Sequence, residues 1–407
     1  MANGPNDLPV LVSGAGPVGL TTAYALLRQN IPVQLFDSYA SVPTDPRAST
    51  FHPPTVEMLE KIGVAEELLG MGIEVRFWQQ RDRKKGLVAE LDLRILSDIT
   101  RYPYRLHCEQ HKYARMLLRR VEDMSPGCVH RSARVIGARQ DADAAYVTIE
   151  TPDGPREVKG RYLIGADGGR SAVRHALGVS FEGKTFAERF LVLTTPFDFG
   201  AHGFTGTCYI ADPVEWCSMF RVPAEGPPGR WRVVFPESSG RPEAEVFNDA
   251  ECQARLQNFF PNPDGKDYRI VHKNIYQVHQ RIAGKFRIGR TFLAGDAAHI
   301  NNPLGGMGLN FGIHDALNAA EKIGQVWRGE ADDSVFDRYD RQRRTVAEEY
   351  LLAQTAQNKR DLEERDPVAR DKRQEEWRET AADPKKARAF LMKTAMFESV
   401  RRAQEIQ

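Results

Sequence analysis

Leu8 to Ser13 is an apolar run that ends at Gly14-Ala-Gly16-Pro-Val-Gly19. A short apolar stretch closed by glycines predicts a buried strand followed by a tight turn. An apolar-rich segment then predicts a helix to about Asn30, and Ile31 to Phe36 predicts a second buried strand closed by Asp37. This is a βαβ unit. A proline-punctuated loop from Ser41 to Pro54 carries Asp45-Pro46-Arg47, and Glu57, Met58, Leu59 and Ile62 predict a helix from about Thr55.

The middle of the chain changes period. Ala145-Tyr-Val-Thr-Ile-Glu150 alternates as strands do, and Thr151-Pro-Asp-Gly154 predicts a turn between two of them. Phe190 to Phe235 is again strand-rich and aromatic, with Cys208-Tyr-Ile210, Cys217 to Phe220 and Trp231 to Phe235. After a strand at Thr291 to Ala294 the pattern is helical to the end, interrupted at Pro367 and Pro384. Lys359 to Lys386 mixes charges of both signs, which fits a solvated helical surface better than a partner-binding one.

Composition narrows the class. A chain of 407 residues exceeds one ordinary core, so two packed domains with a C-terminal extension are expected. With 41% hydrophobic and 27% charged residues and a net charge of +1, nothing favours a nucleic-acid partner. The five cysteines form no CxxC pair and no metal-ligand spacing, so no metal site is expected. Met1 to Asp7 has no signal-peptide pattern and no long apolar window occurs, so a cytoplasmic protein without membrane contact is expected.

Three separated motifs carry candidate chemistry. Gly14 allows the strand-to-helix turn, Gly16 lets backbone N–H groups approach a pyrophosphate, and Gly19 lets the helix pack on the sheet. Asp37 falls where a carboxylate binds a ribose diol, although a surface acid at a strand end is the alternative. NAD and FAD satisfy this motif equally. Tyr162-Leu-Ile-Gly165-Ala-Asp167-Gly168-Gly-Arg170-Ser171 ends a strand with a carboxylate, and Ser171 can cap the next helix. Arg290-Thr-Phe-Leu-Ala-Gly295-Asp296-Ala-Ala-His299 repeats the device and leads into a glycine-rich turn and a helix from about Gly308. His299 reads as a packed histidine in preference to an acid-base catalyst.

GAGPVGL, GADGGRSAVR and LAGDAAHINNPLGGMGLNFGIHDALNAA, in this order and spacing, resemble the class A flavoprotein aromatic hydroxylases, the p-hydroxybenzoate hydroxylase family, over roughly residues 8 to 350. The resemblance implies an α/β fold in which a Rossmann-type, GR2-like FAD-binding domain (1–75, 107–180, 281–345) interleaves with a strand-rich substrate domain (76–106, 181–280). A helical extension (346–407) follows. It implies that Gly14, Gly16, Pro17, Val18, Gly19, Asp37 and Ser38 hold the ADP half of FAD. Arg47, Gln110, Asp167 and Asp296 would contact the rest of the cofactor. Pro303, Gly306, Gly308, Leu309 and Asn310 would form the turn beside the flavin ring.

What the resemblance implies for activity is hydroxylation of an aromatic, phenolic or hydroxybenzoate-like substrate with NAD(P)H and O2 through a C4a-hydroperoxyflavin. The cofactor carries that chemistry, so few catalytic side chains are needed. Tyr209, Trp216, Arg221 and Arg230 would line the pocket, with Arg221 pairing a carboxylate and His52 serving a phenol oxygen as proton partner. Ile99-Thr-Arg-Tyr102-Pro103-Tyr104 and Ala211-Asp-Pro213 are similar to substituted-phenol and nitrophenol monooxygenases. Open alternatives are a same-fold epoxidase, a decarboxylating or denitrating hydroxylase, a flavin-binding protein without turnover, and an NAD-dependent dehydrogenase. A monomer or homodimer is expected.

Overall fold

The computed structural model describes residues 8–45, 47–238 and 240–407. Met1–Asp7 and Pro46 of the Asp45-Pro46-Arg47 loop lie outside the described residues. Strands Val33–Phe36, Val10–Ser13, Tyr162–Gly165 and Thr291–Leu293 lie side by side in that order as the parallel centre of a six-stranded sheet. Almost every residue in them is buried, as expected of parallel strands covered on both faces. Ser13 lies opposite both Phe36 and Gly165, and Gly165 opposite Leu293, so all four strands end at one level. Each is followed there by a residue group flagged in the sequence.

The first helix is Pro17–Leu27, shorter than expected. Asn30 adopts a left-handed φ of 59° and Ile31 N–H returns to Leu26 O, which closes the helix early. The second helix, Pro53–Lys61, starts earlier than expected because its two leading prolines suit a helix's first turn. Helices Pro367–Ala382 and Pro384–Thr394 begin at the prolines themselves, capped by the Asp366 and Asp383 side chains. Left-handed Met396 makes one more break, before Phe397–Glu405.

An eight-stranded mixed sheet stands beside the first. Its order is His299–Ile300, His272–Ala283, Phe181–Thr195, Arg230–Ser238, Cys217–Val222, Thr207–Ala211, Phe77–Asp82 and Gly86–Asp92. One face buries Leu193, Cys208, Met219, Trp231 and Val233 against the helix Asp249–Phe259. The other face carries Trp78, Val192, Tyr209, Phe220 and Val234 toward Leu304 and the C-terminal helices. No helix among the described residues is long and apolar enough to cross a membrane.

Candidate active site

The three motif turns touch one another. A Cβ on Gly14 would lie 2.4 Å from Ala166 O, and one on Gly19 would lie 1.8 Å from Gly14 O. Around Gly16, by contrast, nothing lies within 4 Å of such a Cβ. Two of the three glycines therefore serve close packing, and the middle one borders open space. Val18 fills the gap between Gly295 and Gly312, whose Cβ positions would fall 2.8 and 2.6 Å from its Cγ2. This contact joins the first motif to the third.

No side chain caps the helix that starts at Pro17 or the one that starts at Gly308. Their first-turn N–H groups suit anionic cofactor groups. Asp37 sits beside the glycine turn, accepting the Ala15 N–H at 2.5 Å and the Tyr39 N–H at 2.8 Å. Gln110 opens the helix Gln110–Met124, and its N–H meets Ala48 O at 3.0 Å beside Arg47.

Asp296 is exposed to solvent even though protein crowds it on all sides, as happens in a deep cleft. The crowding pushes its pKa up, opposed by His299 and Arg47. Asp167 differs. It accepts Ser171 Oγ at 2.5 Å and Val173 N–H at 3.2 Å, so its carboxylate helps start the short helix Ala172–Ala176, and burial raises its pKa. Ser171 caps the same helix through Arg174 N–H.

The turn Pro303–Gly308 is pinned from several sides. Asn310 Nδ2 donates to Gly306 O at 2.7 Å and Thr50 O at 2.8 Å, and its Oδ1 accepts the His52 N–H at 2.8 Å. The Asn310 side chain is thereby spent on protein, leaving its backbone for a cofactor. His52 Nε2 bonds Gly305 O at 3.0 Å, while Nδ1 has no partner. Burial, reinforced by Arg105, holds the His52 pKa well below its ordinary value, so the ring is neutral. Its direct structural role is to support this turn.

His299 Nε2 donates to Asp315 Oδ2 at 2.7 Å and is buried. The same oxygen accepts Gly295 N–H at 3.0 Å, and Arg343 Nε binds Asp315 Oδ1 at 2.6 Å. Asp315 was not anticipated; it lies 20 residues beyond Gly295, and only the fold brings it there.

Alternation on the eight-stranded sheet decides which face Arg221 takes. It lies opposite Trp231, on the face covered by the Asp249–Phe259 helix, with Nε on Pro228 O at 2.8 Å. Neighbouring Phe220 takes the other face, because adjacent strand residues point to opposite sides. Arg230 stands at a strand start and pairs with exposed Glu225 at 2.9 Å. The arginine centred on the Tyr209 face is Arg232, across from Phe220 and Thr194, with Nη1 on Arg47 O at 2.7 Å. Trp216 bonds Glu363 at 3.1 Å and packs on Phe190, within the same cluster as Tyr209.

That face and the chain opposite it collect buried polar atoms without partners. They include Tyr209 Oη, Ser218 Oγ, Thr194 Oγ1 and Arg232 Nε on the sheet, with Arg105 Nε close to Tyr209 and His52 Nδ1 close to Arg105. The Tyr209 hydroxyl forms no well-aligned hydrogen bond, although Gly305 N–H and Arg105 lie near enough to favour its ionised form against burial. Arg105, in the strand Arg105–His107, is 4% exposed. Among the described residues its side chain has no hydrogen bond and no ion pair; the Trp78 ring centroid lies 5.9 Å from its guanidinium carbon. Sequence reasoning missed it, since the run around it offered an aromatic signal only.

The open cradle at Gly16, the uncapped helix starts and the exposed Asp296 fit an FAD laid across the strand ends, from Asp37 to the Pro303–Gly308 turn. Comparison with known proteins agrees. The FAD binding domain family model matches residues 7–354. Para-nitrophenol 4-monooxygenase of Pseudomonas sp. (strain WBC-3) is 34% identical over 386 residues, covering 94% of each chain. Pentachlorophenol 4-monooxygenase of Sphingobium chlorophenolicum is 30% identical, over 85% of this chain and 63% of that one. The crystal structure of p-nitrophenol 4-monooxygenase from Pseudomonas putida DLL-E4 superposes with a TM-score of 0.89 at 31% identity, covering 97% of this chain and 98% of that one. With motifs, sheet order and nearly full-length relatives in agreement, the chain belongs to the FAD-binding family of flavoprotein monooxygenases, the class A aromatic hydroxylases.

Proposed function

We propose that this monooxygenase hydroxylates an acidic phenol, one bearing a nitro or halogen substituent, and binds it as the phenolate. The observation that carries this reading is Arg105, a buried guanidinium with no protein anion among the described residues, beside an unpartnered Tyr209 hydroxyl. An unpaired buried charge costs several kcal/mol, roughly, and a bound anion offsets that cost. Phenols with electron-withdrawing groups carry such a charge near neutral pH. The named activities of the nitrophenol and pentachlorophenol relatives support the same class.

Bound FAD supplies acceptance of two electrons from NAD(P)H and activation of O2. One oxygen atom enters the ring and the other leaves as water. The chain's own residues bind and orient. In this reading Gly14 to Gly19, Asp37, Ser38, Arg47, Gln110 and Asp296 hold FAD. Leu309 and Asn310 present backbone N–H groups at the helix start, where negative charge is favoured. Arg105 and Tyr209 face the substrate oxygen, His52 keeps the Gly305 turn in place, and the apolar sheet face excludes water. Segments 76–106 and 181–280 form the substrate side. Five buried free thiols fit a reducing, cytoplasmic setting. A homodimer is compatible with this arrangement as readily as a monomer.

The test is a panel of nitrophenols, chlorophenols, unsubstituted phenol and 4-hydroxybenzoate, scored by stimulated NAD(P)H oxidation, oxygen uptake and product mass. Acidic phenols should give coupled turnover. Preference for 4-hydroxybenzoate would transfer the Arg105 role to a carboxylate, and no stimulation by any member would overturn the reading. Arg105→Met should raise phenolate KM about tenfold or more while leaving the fold as stable or more so, because it removes an unpaired buried charge. An unchanged KM would remove Arg105 from the site.

A further inference from the structure

The C-terminal helices have no part in the three motifs, yet they close on the substrate face. Asp82 is buried and accepts Arg370 Nη2 at 2.7 Å and Gln374 Nε2 at 2.8 Å, both from the helix Pro367–Ala382. Arg388, from Pro384–Thr394, bonds Ile95 O and both oxygens of Asp98 at 2.7 Å. The first clamp fastens its helix to the end of the strand Phe77–Asp82, and the second ties its helix to the short helix Leu93–Leu96 and Asp98 just after it. Between the clamps lies an aromatic layer. Phe390 stacks on Trp78 at 5.1 Å with a 14° interplanar angle, and Trp377 meets Trp78 edge-on at 5.1 Å and Phe390 at 4.9 Å.

Trp78 also touches the pocket groups: Tyr209 is 5.6 Å away ring to ring, and the Arg105 guanidinium carbon 5.9 Å. One indole thus separates the C-terminal helices from the two groups that face the substrate oxygen. Behind it, Asn358 Nδ2 donates to Leu304 O at 3.1 Å, tying the same C-terminal region to the Pro303–Gly308 turn. Trp78, Leu304, Tyr209 and Trp377 belong to one continuous buried cluster.

We propose that Trp377 and Phe390 are specificity-determining residues that act through Trp78: by fixing the depth of its indole they set how large a ring substituent fits beside Tyr209. The inference rests on the phenol reading above. Both residues lie beyond 354, where the family match ends. Core-like packing explains why the choice is sharp, since a side chain held on its far face by two rings cannot retreat without opening a void. Shortening Phe390 removes the stacked support and lets the indole swing back.

The experiment compares holoenzymes of wild type, Phe390→Ala, the milder Phe390→Leu and Trp377→Phe on 4-nitrophenol and 2,6-dichloro-4-nitrophenol. The readouts are kcat/KM for each phenol, its split into kcat and KM, and equilibrium binding from the perturbed flavin absorbance. Phe390→Ala should shift the bulky-to-compact ratio toward the bulky phenol by about tenfold, through KM, with Phe390→Leu and Trp377→Phe shifted the same way by smaller factors. A purely structural role would lower both activities together and leave the ratio where it was; that result overturns the inference. Wild-type enzyme that binds neither phenol overturns the phenol reading and this inference with it, whereas normal wild-type binding with an unchanged ratio in both Phe390 variants overturns the inference alone.

Discussion

Asp315 Oδ2 accepts the backbone N–H of Gly295 at 3.0 Å, so a carboxylate buried in one helix fixes the strand end that presents Asp296. His299 and Arg343 share that carboxylate, and although burial opposes it, these two cationic or donor partners bring its pKa down to about 2. Asp315→Asn removes the countercharge of buried Arg343. Breaking one side of such a pair costs on the order of 3–5 kcal/mol. The variant should melt earlier and release FAD at lower dilution, read by thermal unfolding and by the fluorescence of free flavin. Wild-type melting with full flavin retention would dismiss the role.

The glycine turn allows a separation of cofactor binding from folding. Gly19→Ala drives a methyl into Gly14 O and should damage the apoprotein itself. Gly16→Ala meets no protein atom, and replacement at a helix N-cap costs roughly 1 kcal/mol or less. Its apoprotein should melt within a few degrees of wild type while FAD affinity falls at least tenfold. Equal loss of stability in both variants would contradict the assignment of Gly16 to the pyrophosphate.

These contrasts show what the chain alone made readable. The four parallel strands and their turns were legible because each is a local signal, an apolar run ending in glycine or aspartate, and the breaks in the helical pattern at Pro367 and Pro384 followed from one residue each. Arg221 and Arg232 illustrate the opposite case. Which arginine faces the pocket depends on strand register, and a single-residue shift exchanges the faces. Arg105 and Asp315 were not legible at all, since their meaning lies in partners absent or present far along the chain. Likewise the layer of Trp78, Trp377 and Phe390 joins residues about 300 positions apart.

Register makes its own prediction. Arg221→Ala should leave substrate KM within about twofold, because its guanidinium lies behind the sheet with Pro228 and Trp231. Arg232→Ala removes the tie to Arg47 O and a guanidinium whose pKa burial pushes down to about 10. It should raise substrate or FAD dissociation by about tenfold. Steady-state kinetics and FAD titration on the two variants decide; a larger substrate effect at Arg221 would mean that the pocket lies on the opposite face.

Three buried histidines predict acid sensitivity. Burial holds His52 well below its ordinary value, His107 at about 4 and His314 at about 3, against 6.5 for an unburied ring. Below about pH 6.5 the unfolded chain binds protons that the folded chain refuses, so stability must fall with falling pH. The stabilisation is fully present above pH 6.5 and is lost progressively down to about pH 4 for His107 and about pH 3 for His314. Each ring contributes a slope of about 1.4 kcal/mol per pH unit inside its window, or about 4 kcal/mol per unit for all three. His314→Gln keeps a side chain able to reach Thr55 Oγ1, now 2.8 Å from His314 Nε2, and removes one titrating group. Denaturant unfolding between pH 6.5 and pH 5 should therefore show a slope shallower by up to about 1.4 kcal/mol per pH unit in this variant, and an identical slope would mean that His314 is protonated in the folded protein.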